Sequence, residues 1–82
     1  MMKAYVYVTL KPSVLDPQGQ TIHNALRKLG FAGVDSVRQG KYFVISLAPE
    51  LNAEAARQEV ERIARDVLTN PVIEEFTYRI EE

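Results

Sequence analysis

The sequence predicts an α+β domain whose elements alternate as β-α-β-β-α-β, and three observations carry that prediction. Residues 3–10 and 41–48 alternate side chains with the period of two expected of half-buried strands. Ile22, Ala25, Leu26 and Leu29, and later Ala56, Val60, Ile63, Ala64 and Val67, recur at helical spacing. Gly30, Gln39-Gly40 and Asn70-Pro71 punctuate these runs where turns or helix stops are required.

In chain order, Ala4, Val6, Val8 and Leu10 share one face of the first strand, and Lys3, Tyr5, Tyr7 and Thr9 the other. Lys11-Pro12-Ser13 breaks it. Asp16 is placed to cap a helix with Pro17 at its first position, because a carboxylate accepts from exposed N–H groups and proline needs no donor there. Gly19 weakens the first turn and predicts an irregular onset. Gly30 ends the helix. Residues 34–39 then read as a short polar strand, joined by a tight turn at Gln39-Gly40 to strand 41–48, the two forming a hairpin. On the second of these, Phe43, Ile45 and Leu47 face one way and Tyr42, Val44 and Ser46 the other.

Asn52 caps a second helix of about four turns, whose exposed side carries a Glu61–Arg65 pair at the favourable spacing. Asn70-Pro71 stops it, since proline disfavours helical geometry in the preceding residue. Residues 72–80 form the last strand, where Phe76, Tyr78 and Ile80 alternate with Glu75, Thr77 and Arg79. This order is that of a ferredoxin-like fold: an antiparallel four-stranded sheet, strand order 4-1-3-2, with two helices on one face. The two most apolar strands then lie in the centre and polar strand 34–39 at an edge. The face away from the helices carries Tyr5, Tyr7, Tyr42 and Val44, more aromatic surface than a sheet facing water needs. These residues are the candidates for self-association, as a homodimer or homotetramer.

The 82 residues suffice for one domain, 1–82. A chain of this size buries only about 60% of its unfolded surface. It has no cysteine with which to add a disulfide or a thiolate metal site. Association with copies or partners is the expected remedy. The net charge of −1 gives no global field for nucleic acid or an anionic membrane. Charge is nevertheless uneven. Lys3, Lys11, Arg27, Lys28, Arg38 and Lys41 face only Asp16 and Asp35 in the first half, while the second half carries four arginines against nine acids. No apolar run approaches the ~18 residues of a membrane helix. Met1-Met2-Lys3-Ala4-Tyr5 leads straight into a strand without a signal-peptide layout, so a cytoplasmic location is expected.

Reactive groups are few. His23 stands alone early in the first helix, with no second imidazole to share a metal. There is no cysteine nucleophile, and the adjacent pairs Glu74-Glu75 and Glu81-Glu82 point to opposite faces of a strand, which makes poor acid–base couples. The glycines sit at punctuation points and form no phosphate loop. No catalytic, cofactor or metal residues are therefore expected.

Two ligand classes suit the fold. Gly40-Lys41-Tyr42-Phe43-Val44 echoes the RNA-recognition signature, but Gln39, Lys41 and Ser46 replace its basic and aromatic positions. An amino-acid effector, as in regulatory ACT domains, is the alternative function, because Asp16-Pro17-Gln18-Gly19 lies at the first strand-to-helix connection where those domains bind ligands.

The run Val8-Thr9-Leu10-Lys11-Pro12-Ser13-Val14-Leu15-Asp16-Pro17-Gln18-Gly19 resembles the opening signature of the PurS family, the small subunit of phosphoribosylformylglycinamidine (FGAM) synthase. Ala25-Leu26 with Leu29-Gly30, Val37-Arg38-Gln39-Gly40-Lys41, and Leu68-Thr69-Asn70-Pro71-Val72-Ile73-Glu74 are similar to later family segments in the same order. The similarity covers essentially the whole chain. Ser13 departs from it, since the family often has glycine there, and a positive φ would be harder for serine.

The resemblance implies a non-catalytic subunit of an ATP-dependent C–N ligase. It binds no cofactor of its own, while the complex uses ATP and Mg. The implied partners are a glutaminase subunit, PurQ, and a synthetase subunit, PurL. The complex converts formylglycinamide ribonucleotide, glutamine and ATP to the amidine, glutamate, ADP and phosphate. The small subunit is implied to bridge the two others and assist ammonia transfer. Polar side chains in loops have little structural reason to be there, so Lys11, Gln18, Arg38 and Lys41 are the candidate partner contacts.

Overall fold

The most regular alternation in the chain becomes the middle of its sheet. A computed structural model describes residues 2–82. It contains β1 (Lys3–Leu10), α1 (Pro17–Lys28), β2 (Gly40–Ser46), α2 (Ala53–Ile63) and β3 (Glu74–Glu81), with α2 prolonged by a π-helical turn, Ala64–Leu68. β1 lies between β2 and β3 and is antiparallel to both. Val6 is level with Phe43 and Tyr78, and Tyr7 with Tyr42 and Thr77. The period of two therefore sends Ala4, Val6 and Val8 into the core with Leu47, Ala56, Val60 and Ala64, flanked by half-buried Phe43, Ile45, Phe76, Tyr78 and Ile80.

Asn52 caps α2 by accepting from the Ala55 N–H at 2.8 Å. The helix then runs Ala56, Val60, Ala64 across the sheet in steps of four. The π turn widens the spiral, so the next inward residue is Leu68, while Val67, placed in the buried stripe by a regular α period, is 74% exposed. The same turn pairs Arg65 with Asp66 at 3.2 Å rather than with Glu61.

Among the described residues the sheet has three strands, not four. Residues 34–39 are irregular, and no hairpin forms at Gln39-Gly40. The polar groups of this segment are engaged away from the β2 edge. Gln39 N–H donates to Asp16 Oδ2 at 2.8 Å, and Val34 O lies 3.0 Å from His23 Nε2. The observed order β2-β1-β3 is the predicted 4-1-3 without its last edge strand.

The helices also differ from expectation. Only α2 and its π turn cover the sheet within this chain, and no α1 residue belongs to the core. Ile22 and Leu29, predicted as part of a buried face, are exposed. The molecule is elongated as a result, 51 × 26 × 13 Å. Its radius of gyration of 16.3 Å exceeds the roughly 12 Å of a compact chain this long. The end of α1 is well formed even so. Gly30 adopts φ +95°, which lets Phe31 N–H donate to Leu26 O and Gly30 N–H to Arg27 O, a Schellman closure.

Candidate partner-docking site

Asp16 joins two stretches of chain that are far apart in sequence. One carboxylate oxygen accepts from Gly19 N–H at 2.9 Å and caps α1; the other accepts from Gln39 N–H at 2.8 Å. The side chain is 5% exposed. These backbone donors, first Gln39 and then Gly19, hold the carboxyl below its ordinary pKa because they favour the charged form. Gly19 does not disturb the helix onset. α1 starts cleanly at Pro17, and Gly19 is required because a Cβ there would lie 2.3 Å from Val37 O. Gly40 is likewise pressed against β1, where a Cβ would lie 2.6 Å from Val8 O.

Arg38 closes the junction from the other direction. Its Nη2 donates to the carbonyls of Lys11 and Val14, each at 3.0 Å. Gln39 Nε2 donates to Gln18 Oε1 at 2.7 Å. Lys41 pairs with Glu74 at 3.2 Å across the end of β1. The Glu74 carboxylate also accepts from Asn70 N–H at 2.8 Å. That backbone bond, aided by Lys41, lowers its pKa. All four predicted contact residues thus converge on one junction, where the end of β1 leads into α1. Lys11 is half-buried, and Gln18, Arg38 and Lys41 are exposed, with the Arg38 guanidinium bonded to two loop carbonyls.

A small cleft of about 220 Å³ lies among Leu10, Asp16, Gln18, Gln39, Lys41 and Glu74. Both of its carboxylates already have partners in the fold. The loop leading into this junction has no positive φ outside glycine, so Ser13 sits there without backbone strain.

The self-association candidates also come together. Tyr42 stacks on Tyr7 at 5.1 Å and on Tyr5 at 6.2 Å between ring centroids, and Val44 pairs with Tyr5 across the strands. Arg79 lies 4.4 Å over the Tyr5 ring, and the Tyr5 hydroxyl donates to Glu81 at 3.2 Å. Burial, reinforced by the Glu81 carboxylate, raises the pKa of the Tyr5 phenol. His23 is half-buried against Val34 O and borders an open cleft of about 580 Å³ with Arg27 and Asp35. Among the described residues, no cluster of three or more His, Cys, Asp or Glu is placed to hold a metal ion, and no helix is long and apolar enough to cross a membrane.

Sequence reasoning missed the second function of Asp16 and the Lys41–Glu74 pair. The pair was open to inference. The order 4-1-3 sets Val8 opposite Lys41 and Leu10 opposite Glu74, which brings the two charges to the same end of β1. The Asp16–Gln39 bond had no such signal, because it depends on residues 34–39 staying off the sheet.

A family model for PurS, phosphoribosylformylglycinamidine (FGAM) synthase, matches residues 3–82. A phosphoribosylformylglycinamidine synthase subunit PurS from Mycobacterium leprae is 43% identical over 77 residues, spanning 94% of this chain and 92% of the relative. The corresponding subunit of Methanocaldococcus jannaschii is 40% identical over 82 residues, 100% of this chain and 98% of the relative. The crystal structure of the M. jannaschii PurS, one of the subunits of formylglycinamide ribonucleotide amidotransferase in the purine biosynthetic pathway, is similar with a TM-score of 0.87. Its identity is 39%, and the match covers 100% of this chain and 98% of that one. A chain in the structure of PurLQS from Thermotoga maritima is similar with a TM-score of 0.85 at 30% identity, covering 99% of each chain.

Proposed function

This chain belongs to the PurS family and is a subunit of FGAM synthase in purine biosynthesis, and within that complex we propose that it bridges the glutaminase and synthetase subunits and assists ammonia transfer. The observation that supports this most is that the whole chain, rather than a part, is similar to a chain of the Thermotoga maritima PurLQS structure. Ammonia released into bulk water is protonated and diluted, and ammonium is a poor nucleophile. A docked assembly holds the neutral molecule near its acceptor and raises its effective concentration.

Such a bridge needs complementary surfaces rather than reactive groups. The junction of Lys11, Gln18, Arg38 and Lys41 is one such surface, facing the partner subunits. The open sheet face of Tyr5, Tyr7, Tyr42 and Val44 is the other, where copies of the chain pair as a dimer or tetramer. ATP and Mg belong to the synthetase subunit, and this chain binds no cofactor. It works in the cytoplasm with the rest of the pathway.

The test combines the glutaminase and synthetase subunits with and without this chain. Glutamine-driven amidine formation should require it, while the rate with excess ammonium salt should depend on it much less. Equal glutamine-driven rates in its absence would remove the bridging role.

A further inference from the structure

The two contact segments of the docking junction, Lys11–Gly19 and Val37–Lys41, share no regular secondary-structure pairing. What joins them is a small set of polar bonds centred on one side chain. Asp16 accepts from one segment with Oδ1 and from the other with Oδ2. An N-cap needs only the first of these bonds. The second is additional to capping, and it reaches 23 residues along the chain. It holds Gln39 where Nε2 meets Gln18, and keeps Arg38 next to the carbonyls of Lys11 and Val14. The close fit of Gly19 beneath Val37 O shows that the segments are pressed together at this point.

We infer that Asp16 is a positioning residue: its carboxylate fixes residues 37–41 against the loop 11–19, so that Lys11, Gln18 and Lys41 present one preformed surface to the partner subunits. Without that bond the two segments would have to be ordered during docking, and binding would weaken by the entropy of doing so. This rests on the docking role proposed above for the junction.

Asp16→Asn separates the two functions of the side chain. Asparagine caps helices about as well as aspartate. It carries an NH2 group where Asp16 has its second oxygen, however, so with its oxygen on Gly19 N–H as the cap it has no acceptor facing Gln39 N–H. Asn52→Ala is the control, because it removes a comparable cap from α2 without touching the junction. Two readouts decide. In the free chain, exchange of the Gln39 amide hydrogen should quicken by about tenfold or more in Asp16→Asn and stay unchanged in Asn52→Ala.

In the reconstituted complex, the concentration of Asp16→Asn giving half the maximal glutamine-driven rate should rise by about tenfold, with the maximal rate retained. Asn52→Ala should leave that concentration unchanged. Unaltered Gln39 exchange in Asp16→Asn would overturn the clamp. Faster exchange with an unaltered half-saturating concentration would overturn its role in docking. If the wild-type chain itself gives no glutamine-dependent stimulation, the bridging function fails instead, a result distinct from both.

Discussion

Where β1 meets α2 and its π turn, Val6, Val8, Ala56, Val60 and Ala64 are at most 1% exposed, whereas Ile22 in α1 is 41% and Leu29 at its C-cap 73% exposed. The sheet and α2 are held by apolar burial. α1, the loop before it and residues 34–39 are held by directed bonds: Asp16 to two N–H groups, Arg38 to two carbonyls, His23 to Val34 O. The difference teaches how a chain of 82 residues divides its work. Apolar burial is non-directional and sets stability. Polar bonds have strict geometry, and they fix the relative position of side chains that meet a partner.

The largest loss of stability is expected in the apolar core. Val60→Ala removes two buried methyl groups beneath the sheet and should destabilise the free chain by about 2 kcal/mol in denaturant unfolding. Gly19→Ala strikes the polar junction, where the new Cβ would meet a backbone oxygen that cannot easily yield. A loss of roughly 1–3 kcal/mol is expected, with the gap between α1 and residues 37–39 opened. Gly33→Ala has nothing within 4 Å of the added atom and should be close to neutral, which makes it the matched control. Asn52→Ala should cost about 1 kcal/mol through loss of the α2 cap.

Acid should loosen the junction through two of its carboxyls. The carboxyls of Asp16 and Glu74 have lowered pKa values in the folded chain. The unfolded chain therefore binds more protons, and stability rises with pH over that range. Their contribution is complete above the ordinary carboxylate value of about 4 and is lost as pH falls through the lowered folded values. Unfolding titrations from neutral to acid pH should show this decline, with a smaller decline in Asp16→Asn. A small effect, less than about 0.5 kcal/mol in the dilute chain, is also expected at Leu29→Ser, because the side chain buries little there. A larger loss that grows with protein concentration would show that another copy covers α1.

The same division explains what the sequence could reveal. β1, β2, β3 and α2 pack on one another, so their alternation and helical stripes report a real burial pattern, and the strand order follows from it. The cap at Asp16, the proline at Pro17 and the stop at Gly30 are local and equally readable. Residues 34–39 misled because Val34 and Val37 suggest a strand, while the hydrogen bonds that withdraw the segment come from Asp16 and His23 on another element. Val67 misled because one π-helical turn shifts the stripe to Leu68. Lys11, Gln18, Arg38 and Lys41 were legible as separate polar residues of a loop and a turn, but not their convergence. The bonds that unite them were not legible either, since they depend on three-dimensional fit at Gly19 and Gly40.

Native-state hydrogen exchange on the dilute wild-type chain tests the division most directly. Amides of β1 and α2 should exchange only through global unfolding, while those in the second half of α1 should exchange through local opening at much lower free energy. Equal protection of α1 and β1, insensitive to chain concentration, would contradict a chain stabilised by its sheet and α2 and shaped for docking at the β1–α1 junction.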